Sequence, residues 1–126
     1  VLREGQKIAL IATGMMVQEA LKAADILAKE DISVTVVDMP CIKPIDEELI
    51  EKIAKSHELI ITCEEHNVYG GLGSAVSEVT SKKSPVRMEM MGMQDTFGES
   101  GTPNELLAKY GLNADHIVEK VRNEYR

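Results

Sequence analysis

The chain has 126 residues, 44% of them hydrophobic and 28% charged, and a formal net charge of −7. That size and balance suit one domain spanning residues 1–126 and exclude disorder, collagen and coiled coil, while the absence of any ~20-residue apolar run excludes a membrane span. The acidic field disfavours nucleic acid and anionic membranes, and one Phe, three Tyr and no Trp leave little for stacking bases.

Strands and helices alternate from the start. Lys7–Thr13 is a short apolar run of the kind found in buried parallel strands. Val17, Ala20, Leu21, Ala24, Leu27 and Ala28 then form one helical stripe, with Gln18, Lys22, Asp25 and Lys29 off it. Ser33–Asp38 is β-branched and predicts the second strand. Pro40 and Pro44 bracket an extended loop. Asp46 then reads as an N-cap, with Glu47 and Glu48 at the positive end of the helix dipole and Leu49, Ile50, Ile53 and Ala54 on the inner face.

Glu58–Cys63 predicts a third buried strand, running into Glu64-Glu65-His66 and then Gly70-Gly71-Leu72-Gly73. Leu72, Ala75, Val76 and Val79 mark the helix that follows, and Val86–Met91 a methionine-rich fourth strand. Thr102-Pro103-Asn104-Glu105 is a capping box with Pro at the first helical position, and Gly111 is a left-handed stop. Asn113 caps a last helix, whose face is Ile117, Val121 and Tyr125 and onto which Leu112 can staple.

This order predicts an α/β fold: a three-layer α/β/α open sheet, mostly parallel, with the first strand between the second and third. Val1-Leu2-Arg3 is expected to add one antiparallel edge strand. Ligands of such sheets bind beyond the carboxyl ends of the strands, at the switch point, where Thr13-Gly14-Met15 meets Glu64 through Gly73.

The residues there leave several readings open. The GGLG turn precedes a helix and its N–H groups are of the kind that cradle anions, yet it matches neither GxGxxG nor GxxxxGK[ST]. Its blander reading is a tight turn in which missing Cβ atoms permit close packing. Glu64, Glu65 and His66 suit acid–base work, a buried hydrogen-bonded corner or a subunit contact. Cys63 and His66 make half a metal site at most, with Cys41, His57 and His116 isolated along the chain, so no metal ligand is assigned. The two thiols are read as reduced, in the cytoplasm, and Val1 in place of Met hints at a processed or excised piece. Ser74 and Ser100 have glycine neighbours but no G-x-S-x-G elbow. Met88, Met90, Met91 and Met93 either fill gaps beside the sheet or belong to a partner-facing patch extending to Phe97.

Four ordered segments carry a resemblance: IALIATGMMVQEAL at 8–21, VVDMPCIKPIDEELI at 36–50, EEHNVYGGLGSAV at 64–76 and DTFGESGTPNELLAKYGLNADHIV at 95–118. Together they resemble the C-terminal domain of transketolases, a domain shared with deoxyxylulose-phosphate synthases and the β subunits of 2-oxo-acid dehydrogenases. The resemblance implies a whole enzyme that uses thiamine diphosphate and Mg to move a two-carbon ketol unit between sugar phosphates, as in the pentose phosphate pathway. It places the cofactor on N-terminal and middle domains, and the GDG metal motif is absent from this chain. No catalytic, cofactor-binding or metal residue is therefore assigned here. The implied role is to pack on those domains, or on a separate subunit, and to extend a homodimer interface, the isolated domain being inactive.

The candidate ligand or interface loop consists of Glu64, Glu65, His66, Gly70, Gly71 and Gly73, with Phe97 as a candidate contact. Alternatives are a domain of a deoxyxylulose-phosphate synthase, a dehydrogenase β subunit contacting an acyltransferase core, or a small phosphate-binding module.

Overall fold

The computed structural model describes residues 1–40, 44–67, 71–93 and 113–125. Its strands are β1 (Lys7–Ala12), β2 (Thr35–Asp38), β3 (His57–Asn67) and β4 (Arg87–Met93). Its helices are α1 (Met16–Ala28), α2 (Glu47–Ser56), α3 (Leu72–Lys83) and α4 (Ala114–Tyr125). The sheet order is β2-β1-β3-β4, with every neighbouring pair parallel. The first strand lies between the second and third, as the pattern predicts.

Alternation along the strands builds two cores. Ile8, Leu10 and Ala12 of β1 and Leu59, Ile61 and Cys63 of β3 face α1 and α4. Ala9 and Ile11 of β1 and Ile60 of β3 face α2 and α3. Burying both faces is what lets these strands be continuously apolar. The architecture is α/β/α in three layers. Among the described residues, no helix is long and apolar enough to cross a membrane.

The amino-terminal segment runs against the free side of β2. Arg3 and Val36 form an antiparallel bridge, with Val36 N–H donating to Arg3 O at 2.8 Å and Leu2 N–H to Val36 O at 2.9 Å. The expected edge strand is thus a single bridge. Gly5 is needed for the approach: a Cβ there would stand 2.3 Å from the Val34 carbonyl carbon.

Helix faces depart from expectation in details. On α1, Ala23 is buried and Ala28, the last residue of the helix, is exposed, and Asp31 then turns the chain at φ 61°. On α3, Thr80 is buried and Ala75 only half-buried. Asp46 caps α2 as predicted, its Oδ1 accepting Leu49 N–H at 3.1 Å. Asn113 caps α4, accepting His116 N–H at 3.2 Å. The predicted helix after Thr102, its capping box and Gly111 lie outside the described residues. So do Cys41, Leu112 and the side chain of Tyr125.

Ile117, Val118 and Val121 seat α4 in the core, and ion pairs flank it: Lys120 meets Glu89 of β4 at 3.0 Å, Arg122 pairs with Glu30 beyond α1, and Glu124 pairs with Arg87. The Lys120 ammonium, hydrogen-bonded to Glu89, holds that carboxyl below its ordinary range.

Candidate functional site

The expected switch point is present. Thr13 N–H, just past β1, donates to Cys63 O of β3 at 3.2 Å, while Met39 N–H, just past β2, donates to Ala12 O at 2.9 Å. Beyond it, β3 does not stop at Cys63. The strand continues through Glu64, Glu65 and His66 to Asn67, with its register against β4 shifting between Cys63 and Asn67.

Glu64 follows the strand's alternation onto the α3 side, two residues beyond Thr62. There it is 2% exposed. Its Oε1 accepts Leu72 N–H at 3.0 Å and its Oε2 accepts Gly73 N–H at 2.9 Å. These are two of the orphan donors at the start of α3, whose own cap residue, Gly71, offers no side chain. A carboxylate in this position is doubly hydrogen-bonded and sits at the positive end of the helix dipole. Of the open readings for this residue, the geometry is that of a buried hydrogen-bonded corner.

Gly73 completes the corner. A Cβ there would stand 2.8 Å from Met90 Sδ and 3.0 Å from Thr62 Oγ1. The glycine therefore lets α3 approach β3 and β4 closely. Gly71 lies at the turn itself. Gly70 and Phe97 lie outside the described residues, as do the side chains of Glu65 and His66.

The other candidates do not converge on this place. Cys63 points into the opposite core, against α1 and α4. Burial, with the charge of Glu64 beside it, pushes its thiol up to about 12. A thiol so held is a core side chain rather than a nucleophile or thiolate ligand. His57 lies at the other end of the sheet. Its Nδ1 lies 2.9 Å from Ile53 O, to which it donates, and in the neutral ring this leaves Nε2 to accept the Thr35 hydroxyl at 2.7 Å. Thr35 Oγ1 in turn accepts Gly5 N–H at 2.9 Å, tying the amino-terminal segment to α2. Along the chain His57 stands isolated, and nothing in its neighbours Ser56 and Glu58 signals a partner on β2.

An open cleft of about 460 Å³ lies between α1 and α4, lined by Glu19, Lys22, Asp25, Ile26 and Asn113–Asp115. Glu19 is committed there, accepting Ala114 N–H at 3.1 Å and pairing with Lys22 at 3.1 Å.

The family model described as "Transketolase, C-terminal domain" matches residues 1–117. This chain belongs to that family. A "Putative transketolase C-terminal section" of Methanocaldococcus jannaschii is 41% identical over the whole chain, which covers 39% of that protein. A 1-deoxy-D-xylulose-5-phosphate synthase of Desulforudis audaxviator is 45% identical, and there the chain covers 20%. A solved structure titled "Split gene transketolase, inactive beta4 tetramer" superposes with a TM-score of 0.91 at 47% identity, over 98% of this chain and 40% of that one. The chain thus spans well under half of each of these proteins.

The start of α3 in this transketolase C-terminal domain does not fit the diphosphate of the implied cofactor. At the turn best shaped for one, Glu64 already takes the Leu72 and Gly73 N–H groups and presents a negative charge.

Proposed function

We propose that this chain is the C-terminal section of a transketolase, packing on the portion that carries thiamine diphosphate and its divalent metal and extending the contact between copies. Such an enzyme moves a two-carbon ketol unit from a ketose phosphate to an aldose phosphate. The cofactor supplies the carbanion chemistry, and the protein supplies binding and orientation. The observation that carries this reading is coverage: the chain aligns end to end with a transketolase C-terminal section yet spans 39% of it.

The corner built by Glu64 supports an architectural role. It spends a buried carboxylate on holding α3 to β3, at the end of the sheet where a ligand would otherwise be expected. The buried free thiol of Cys63 suits the reducing cytoplasm, where we place the enzyme. A second reading, a deoxyxylulose-phosphate synthase, is favoured by the 45% identity to one such enzyme.

Reconstitution tests both. The chain alone, with thiamine diphosphate and magnesium, is expected to give no ketol transfer in a coupled assay. Adding the cofactor-binding remainder of the enzyme is expected to produce it. Turnover by the chain alone overturns the proposal. Formation of deoxyxylulose phosphate by the reconstituted enzyme moves the assignment to the synthase.

A further inference from the structure

Met90 is more exposed than Met88 and Met91, its neighbours on β4 that pack against the two cores. It lies on β4 directly opposite Thr62 of β3 and is 41% exposed. Met16 and Met39 are buried, and Met88 packs partly buried against the core, its Sδ accepting the Thr80 hydroxyl at 3.5 Å. Thr62 is fully buried, and its hydroxyl has no hydrogen-bond partner among the described residues. Buried hydroxyls ordinarily have a partner, so this one calls for an explanation. The point 3.0 Å from Thr62 Oγ1, where a Cβ of Gly73 would stand, lies 2.8 Å from Met90 Sδ. The thioether of an exposed residue and a buried donor without a partner among the described residues therefore crowd one spot, beside the first turn of α3.

We propose that Met90 is an oxidation site whose sulfoxide is received by the Thr62 hydroxyl. A hydroperoxide transfers one oxygen atom to Sδ. The S–O bond forms as the peroxide O–O bond breaks, sulfur gives up two electrons, and the peroxide leaves as water or an alcohol. A thioether is a weak acceptor, whereas the sulfoxide oxygen is a strong one. The Thr62 O–H donates to it, adding a side-chain hydrogen bond between β3 and β4 beside the first turn of α3. Most sulfoxides disrupt the packing around them. This one supplies an acceptor that Thr62 does not find among the described residues. A methionine sulfoxide reductase removes the oxygen again, making the change reversible.

The test treats the intact protein with graded hydrogen peroxide, in a Met15→Leu, Met93→Leu background so that other methionines do not dominate. Peptide mapping is expected to show Met90 oxidised at least about tenfold faster than Met16 and Met39. The Tm of the Met90 sulfoxide form is expected to equal or exceed that of the unoxidised protein. With Thr62→Val, the same oxidation is expected to lower Tm, and Thr62→Ser to prevent that loss. Infrared difference spectra with and without ¹⁸O-labelled peroxide report the S=O stretch without any change at Thr62. A frequency lowered by hydrogen bonding supports the proposal, and a free S=O frequency overturns it. Oxidation of Met90 no faster than Met16 also overturns it, as does an equal fall in Tm with and without Thr62→Val.

Discussion

Helices α2 and α3 lie on the same face of the sheet and begin in opposite ways. Helix α2 takes its cap from the adjacent Asp46, which is exposed and accepts one N–H. Helix α3 starts on glycine and takes its cap from Glu64, a buried strand residue that accepts two. A local cap stabilises one helix end. The distant cap also pins the helix to the strand that precedes it, so its loss reaches the packing of the whole corner. Exposure amplifies the contrast, because water can replace Asp46 but cannot readily reach the donors that Glu64 serves.

Breaking the distant cap is expected to have the largest effect. Glu64→Ala leaves two N–H groups orphaned in a buried site and should cost about 3–4 kcal/mol in denaturant unfolding. Glu64→Gln keeps one acceptor oxygen but turns an NH₂ towards the other N–H, and should cost roughly half as much. Asp46→Ala, the matching change at the local cap, should cost about 1 kcal/mol. Equal losses at the two positions would erase the distinction between them.

Thr62→Val sharpens the contrast from the other side. It removes a buried hydroxyl that has no partner among the described residues and should raise stability by up to about 1 kcal/mol in the same measurement.

The smallest effect lies in the ion pair of Lys120 with Glu89. Because folding lowers the Glu89 carboxyl below its ordinary 4.5, its contribution is present above that value and is lost as pH falls through the lower folded one. Both partners are a third exposed, so the contribution stays under about 1 kcal/mol. Lys120→Met should therefore make the acid limb of the stability profile slightly shallower, and an unchanged limb would show the pair to be inert.

Legibility in the amino-acid sequence followed distance along the chain. Asp46 and Asn113 could be read as caps because an N-cap and its donors lie within three residues. The first three strands are recognisable from apolar and β-branched runs, although β3 extends past Cys63 through polar residues to Asn67. Extended backbone pairs through its own N–H and C=O groups, so Glu64 can belong to a strand while its carboxylate serves a helix. Glu64 was visible only as one of three polar residues with several open roles. The methionines divided in the fold: Met91 packs against one core, Met88 against the other, and Met90 stays exposed.

Residue order settled the class of fold, the central place of β1 and the family resemblance, since periodicity and short motifs are written in neighbouring positions. Folding decided what those positions do. It carried Glu19 to a helix start 95 residues away. It set Glu64 against α3, and it left Thr62 and Met90 crowding the Gly73 turn. A side chain's partner depends on which strands and helices become neighbours, and that is fixed by the topology and packing of the whole domain.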